Sequence, residues 1–193
     1  MAIDGETRTP NQAARRERVL DAALNLAAEG GYDAVQMRDV AARGQVALGT
    51  IYRYFSSKDH LLAACQLELW RGMADRFDAR PAVGSSAADR VIDFLQRAMR
   101  AAEREPRRTA ALVTASASPD PAVRDTQLEI IATMEVVIAA AIGDVDPSIK
   151  ARAVRTLRTV WFGLLVGWVN GWEDAATVND ELASAAELLL AGH

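Results

Sequence analysis

Across residues 11–29, apolar side chains return every third or fourth position, as Val19, Leu20, Ala23, Leu24, Ala27 and Ala28. That spacing gathers them on one face of a helix. Gly30-Gly31 marks its end, since glycine suits a left-handed C-cap. Two much shorter helical patterns follow, at 37–43 and 48–54, with Val46-Ala47 leading out of the turn between them. Ser56-Ser57 reads as the N-cap of a long fourth helix ending near Ala79. Lys58 and Asp59 fall in its first turn, where the acid suits the helix dipole. Residues 80–86 form a loop, the clearest break in the pattern. Helices are then expected over 87–104, 106–117, 121–142, 147–172 and 179–190, each opening near Pro, Ser, Asp or Asn. No segment shows the alternation of a half-buried strand. The predicted fold class is all-α, with about nine helices.

Composition agrees with this reading and narrows it. Of 193 residues, 50% are hydrophobic and only 6% aromatic. A sizeable core can therefore be built from Ala and Leu. The single cysteine, Cys65, excludes an internal disulfide and fits a reducing compartment. It lies in the run Leu61-Leu62-Ala63-Ala64-Cys65, which reads as a buried structural thiol. Residues 1–10 are polar and lack the apolar stretch of a signal peptide. The longest apolar run, 160–169, is too short to span a bilayer. A cytoplasmic protein with no membrane partner is expected. The net charge of −4 argues against a strongly basic, non-specific nucleic-acid binder. Residues 1–60 balance eight Lys/Arg against eight Asp/Glu, so the excess acid lies beyond them. A neutral first domain can still present a basic face if its arginines cluster.

The two short helices carry the functional signal. A helix as short as 48–54 buries too little to exist for stability alone. A helix-turn-helix places its second helix in the major groove. Residues 1–56 are therefore predicted to form a three-helix DNA-binding domain, and 57–193 a ligand-binding and dimerisation domain. In the reading helix, Leu48 and Gly49 would face the groove, with Gly49 allowing close backbone approach. Thr50, Tyr52 and Tyr54 can donate hydroxyls to phosphates, and Arg53 can reach phosphate or guanine. Arg38 and Lys58 complete the DNA-binding set, Lys58 at a helix N-terminus suited to a phosphate. Ile51 and Phe55 are assigned to the small core. A helical hairpin capped by its tyrosines is the plainer alternative.

Val19-Leu20-Asp21-Ala22-Ala23, Gly31-Tyr32, Arg38-Asp39-Val40-Ala41, Val46, Gly49-Thr50-Ile51-Tyr52-Arg53-Tyr54-Phe55, Lys58 and Leu61-Leu62 occur together, at spacings that resemble the TetR family of transcriptional regulators. The resemblance implies a homodimeric repressor of a palindromic double-stranded DNA operator. It also implies a helical C-terminal domain that dimerises and binds a small hydrophobic effector. Two positions depart from the family pattern. Gln36 stands where the family has the Ser or Thr that caps its second helix, a loss of about 1 kcal/mol. Gly44-Gln45-Val46-Ala47 stands for Ala-Gly-Val-Ser, so the turn glycine is displaced by one. The stretches 30–38 and 46–55, with Val160-Trp161, are further similar to the actinobacterial repressors of sterol catabolism. That branch would imply a bulky apolar inducer, such as the CoA thioester of a steroid side-chain acid. A regulator of an efflux or unrelated catabolic operon is the alternative within the family.

In the C-terminal part, Val154, Leu157, Val160, Trp161, Leu164, Leu165 and Trp168 cover more than one helical face, which calls for two partners. Gly163, Gly167 and Gly171 recur every four residues. Each costs roughly 0.8–1 kcal/mol relative to Ala inside a helix. Close approach to a second helix would offset that cost. An isologous four-helix dimer face is expected from Gly163, Gly167, Trp168, Gly171, Leu182 and Leu189. A bent core helix in a monomer is the alternative. An effector pocket is expected to be walled by Phe77, Phe94, Met99, Leu112, Met134, Ile138, Trp161 and Leu165, each of which could equally be simple core. Arg97, Arg100, Arg104, Arg107 and Arg108 form a basic run, a solvated face or a site for the phosphates of an acyl-CoA.

An enzyme is not expected. Two histidines and one cysteine are too few for a zinc cage, and the glycines lack the strand–turn–helix setting of a phosphate loop. No cofactor is expected. The acids Asp144, Asp146, Glu173 and Asp174 sit at helix boundaries and read as solvated turns. A helical protein-interaction module would explain a bundle, but not the sequence of residues 49–55.

Overall fold

The computed structural model describes residues 10–193, so the polar N-terminal stretch lies outside the described residues. Those residues form nine helices and no strand: α1 (Pro10–Ala34), α2 (Met37–Arg43), α3 (Leu48–Tyr54), α4 (Lys58–Ala79), α5 (Ala87–Glu103), α6 (Pro106–Ser116), α7 (Pro121–Ile142), α8 (Pro147–Val169) and α9 (Ala175–Leu189). The helix starts have local causes. Ser57, Asp120, Asp146 and Asp174 each accept a backbone N–H in the first turn of α4, α7, α8 and α9. Ser86 and Asp89 cap α5 reciprocally. Asp146 and Asp174, read from the sequence as solvated turn acids, are thus helix caps.

Three helix limits differ most from the sequence pattern. α1 runs on to Ala34, but its geometry breaks at Gly30 and Gly31, the latter at φ 72°. α9 begins four residues earlier than expected, because Asp174 caps it through Thr177 N–H. α8 stops at Val169, so Gly171 lies beyond the helix and not on a glycine stripe. Gly171 has φ 72° in the turn that leads to α9.

Two apolar cores organise the chain. The first joins Val19, Leu20, Ala23 and Leu26 of α1 with Val40, Ile51, Phe55, Leu61 and Leu62. Cys65 belongs to it, fully buried, with burial pushing its thiol pKa up. Truncating a side chain such as Phe55 there costs about 3–5 kcal/mol. Ala111, Leu112 and Ala115 of α6 also belong to this core, so α6 ties the reading head to the rest of the chain. The second core gathers α4, α5, α7, α8 and α9 around Trp70, Phe94, Met99, Ile138, Leu157 and Leu182. Trp70 meets Trp161 edge-on, at 6.4 Å between centroids, and Phe77 meets Phe94 at 5.6 Å. Edge-to-face pairs of this kind add to the burial of the rings themselves.

Polar contacts cross between the cores. Arg107 Nη1 at the start of α6 donates to the Glu29 carbonyl near the break in α1, at 2.8 Å. The hydroxyls of Ser57 and Ser56 donate to Asp120 Oδ2, at 2.7 and 3.1 Å. Among the described residues no helix is long and apolar enough to cross a membrane.

Candidate DNA-reading helix and effector cavity

α2 and α3 form a helix-turn-helix held by the first core. Ile51 and Phe55 point inward and are buried. Their burial turns the opposite face of α3 outward. Gly49, Tyr52 and Arg53 are exposed, Tyr52 by 53%. Thr50 is half-buried, as are Leu48 and Tyr54, which pack on the core. The Arg53 guanidinium lies 5.6 Å from the centre of the Tyr54 ring. Arg38 of α2 is exposed. A Cβ on Gly49 would meet nothing within 4 Å, so no neighbour within the chain requires glycine there.

Lys58 is less free than the sequence suggested. Its ammonium donates to the Tyr32 carbonyl at 3.2 Å and stands 3.6 Å from the centre of the Tyr32 ring. A cation over an aromatic face at that range is attracted to it. The Tyr32 hydroxyl in turn donates to Asp59 at 2.5 Å, and that bond raises its pKa to about 12. Lys58 thus braces the break in α1 against the start of α4.

The turn shows both departures from the family pattern. Gln36 caps no backbone N–H of α2, and its amide instead donates to the Asp33 carbonyl. Arg18 Nε donates to the Gly44 carbonyl at 3.3 Å, anchoring the end of α2 to α1. Gln36, before α2, and Gln45, in the turn before α3, are both exposed; the sequence singled them out as departures from the family pattern and not as DNA contacts.

The C-terminal bundle forms a cavity of about 1020 Å³ that opens to solvent. Phe77, Phe94, Leu112, Met134, Trp161 and Leu165 line it. Met99 and Ile138, expected in the same wall, do not line it, being fully buried in the second core. Leu112 and Leu69 line the cavity and also pack on the first core, so one wall is shared with the reading head. The basic run divides. Arg97, Arg100, Arg104 and Arg108 line the cavity, together with Arg76 and Arg80, whereas Arg107 turns to Glu29. Among the described residues Asp93 is the one acid in the lining, and it is paired with Arg97 at 2.5 Å. The lining is therefore strongly positive on a chain whose net charge is negative.

The residues expected at a dimer face split in a similar way. Gly163 and Gly171 are exposed, Trp168 and Leu189 pack partly on their own core, and Leu182 is buried within it. Gly167 is buried under Glu173, whose carboxyl carbon would lie 3.5 Å from an added Cβ. Phe162, Trp172 and Leu188 are the large apolar side chains exposed on α8, α9 and the turn between them.

Comparison with known proteins agrees with this geometry. Residues 19–65 match the family of bacterial regulatory proteins of the tetR type, and residues 84–189 match the tetracyclin repressor-like C-terminal domain. The chain belongs to the TetR family. The HTH-type transcriptional repressor KstR of Rhodococcus jostii is 37% identical over 180 residues, spanning 93% of this chain and 84% of its own. KstR of Mycolicibacterium smegmatis is 32% identical over 97% of this chain and 92% of its own. A TetR transcriptional regulator from Rhodococcus sp. RHA1 has the same fold with a TM-score of 0.85 and 32% identity, covering 94% of this chain and 98% of that one. The chain is thus a transcriptional repressor of the TetR type, related to the sterol-catabolism repressors.

Proposed function

We propose that this TetR-type repressor binds a palindromic operator as a homodimer and releases it when an acyl-CoA thioester enters the C-terminal cavity. The carrying observation is the pairing of an aromatic, methionine-lined cavity of about 1020 Å³ with unpaired arginines in its lining. That volume is at the upper end for small-molecule sites and suits a bulky ring system or long acyl chain. Among the described residues, the guanidinium groups of Arg76, Arg100, Arg104 and Arg108 have no hydrogen-bond partner. Guanidinium groups left open in this way suit recognition of several phosphate groups. The relatedness to KstR favours a steroid side-chain acid as the acyl part.

Operator binding is assigned to Arg38, Leu48, Gly49, Thr50, Tyr52, Arg53 and Tyr54, with Lys58 bracing the head. The division of labour at 56/57 is functional, since α6 completes the core of the head. The effector signal would pass through that shared wall, from Leu112 and Leu69 to α6 and α1. Dimerisation is assigned to α8 and α9. The exposed Arg152 and Arg155 of α8 and the exposed Asp180, Glu181 and Glu187 of α9 suit an isologous contact in which each α8 faces the partner's α9.

Calorimetric titration with a steroid acyl-CoA, its free acid and CoA alone tests the ligand class. The thioester should bind tightest. Changing Arg100 and Arg104 together to Glu should weaken the thioester and leave the free acid unaffected. Equal affinity for thioester and free acid would remove CoA from the proposal.

A further inference from the structure

α6 contributes Ala111, Leu112 and Ala115 to the first core, to which α1 brings Ala22, Ala23 and Ala27. Apolar packing is non-directional and small side chains interlock little, so this contact holds α6 on the head without fixing its angle. The directional contacts lie at the two ends of α6. Arg107, its second residue, donates from Nη1 to the Glu29 carbonyl at 2.8 Å, just before the break in α1. The Glu29 carboxylate in turn accepts both terminal nitrogens of Arg43, the last residue of α2, at 2.5 and 3.0 Å. Past the other end of α6, Asp120 Oδ2 accepts the hydroxyls of Ser57 and Ser56 at 2.7 and 3.1 Å. These serines directly follow Phe55, which closes α3. Asp120 Oδ1 caps α7 through the Ala122 N–H at 2.9 Å. The body thus grips the head at two places, one leading to the end of α2 and one just past the end of α3. A single grip would leave a rotation about itself, whereas two fix an angle.

We infer that Arg107 and Asp120 are positioning residues that select the spacing between operator half-sites, by setting the angle at which each reading head stands on its body. Two reading helices of a dimer must enter the major groove about one helical turn apart, about 34–36 Å. Each base pair added between half-sites moves them apart by about 3.4 Å and turns one against the other by about a tenth of a turn. A head free to roll on α6 would follow such changes, and a head gripped at both ends would not. Both grips are well placed for this and poorly placed for stability alone. Arg107, Glu29 and Ser56 are exposed and Asp120 is half-buried, so neither apolar core depends on them. The Ser57 hydroxyl, first among the partners of Asp120, holds its carboxyl below the usual carboxylate range and keeps it an ionised acceptor at neutral pH. The inference rests on the reading of a homodimer on a palindromic operator, and not on the identity of the effector.

The test uses duplexes that the full-length wild type enriches from a random-sequence library. The spacer between their half-sites is then lengthened or shortened by one and two base pairs, and anisotropy titrations follow at fixed salt. Wild-type protein should lose at least about tenfold in affinity for each base pair of change. Arg107→Met removes one grip. Asp120→Asn removes the other, since the amide nitrogen that replaces Oδ2 cannot accept a hydroxyl while the remaining oxygen still caps α7. The double variant should bind a duplex carrying one half-site within about twofold of wild type, and its affinities across the spacers should fall within about threefold of one another. Ser56→Ala with Arg107→Lys serves if that variant does not fold, and should flatten the profile in the same direction. A spacer preference kept in full by both variants, with affinity lowered equally at every spacing, would make the grips merely structural and overturn the inference. A wild type indifferent to spacing, or a library yielding only unpaired half-sites, would refute the palindromic reading and the inference with it.

Discussion

Gln45 takes the left-handed conformation, φ 52°, immediately after Gly44, whose own φ is −77°. The residue that tolerates the left-handed region best thus sits one position too early. Gly44 has a different use. A Cβ there would stand 3.0 Å from the Val40 carbonyl and 3.4 Å from that of Arg18, both backbone atoms. Gly44 allows close packing of α2 on α1, and Gln45 absorbs the turn. Gln45→Gly should therefore stabilise the protein by about 0.5–1 kcal/mol, the strain relieved less the flexibility gained by the unfolded chain. Gly44→Ala should destabilise it by about 1–3 kcal/mol. Urea midpoints check both, and a neutral Gly44→Ala would refute the close-packing argument.

Gly49 and Tyr52 separate folding from recognition. Space around Gly49 is open. Gly49→Ala should therefore leave thermal stability equal or higher by up to about 1 kcal/mol. Tyr52→Ala should change stability by no more than about 0.5 kcal/mol. If α3 enters the groove as proposed, both should weaken operator binding at least about tenfold, Gly49→Ala by holding the backbone away from the DNA and Tyr52→Ala by losing a contact. Anisotropy titrations alongside thermal melts measure the two effects. Unimpaired DNA binding by Tyr52→Ala would mean that α3 docks differently.

The His60 imidazole accepts the Ser56 N–H at Nδ1, at 3.2 Å, beside the Asp120 junction. Burial lowers its pKa from the ordinary 6.5, Asp120 opposes that shift and Arg16 adds to it. The unfolded chain therefore takes up this proton at a higher pH than the folded one. Stability from this group is present above about 6.5 and declines as pH falls through it toward the lower folded value. Wild-type protein should lose stability between about pH 7.5 and 5.5, and His60→Gln should lose less over the same interval. Parallel denaturation profiles would show that His60 does not contribute.

Gly163 and Gly167 differ as probes of association. Gly163 is exposed with open space around it, so Gly163→Leu should leave the monomer fold intact and weaken a dimer that uses α8. Gly167→Leu would displace the Glu173 carboxyl inside the subunit and so disturb the monomer itself. Light scattering on Gly163→Leu, with Leu188→Glu as a second variant on α9, measures this. Unchanged mass for both would contradict the α8–α9 face.

The reading head was legible because its signals are local. The limits of α2 and α3 coincide with the sequence pattern, and Ile51 and Phe55 are buried as their spacing implied. The cavity was legible only in part. Periodicity places Met99 and Ile138 on apolar faces just as it places Phe94 and Trp161. Which of those faces meets a void depends on how five helices pack together. The bracing of Lys58 by Tyr32, the role of α6 in the first core and the ion pair of Arg158 with Glu135 all join residues distant in sequence. Periodicity carries no trace of them. The overlong α8 has a simpler origin: apolar residues continue to Trp172, but the chain turns at Asn170 and Gly171.

The central claim is that the cavity's ligand releases the DNA. A labelled duplex from the DNA upstream of the protein's own coding sequence, bound at physiological salt, is titrated with a steroid acyl-CoA while anisotropy is followed. The account predicts a specific, salt-dependent complex that the thioester dissolves near stoichiometric ratio and that CoA alone leaves intact. A specific complex indifferent to every acyl-CoA offered would contradict it.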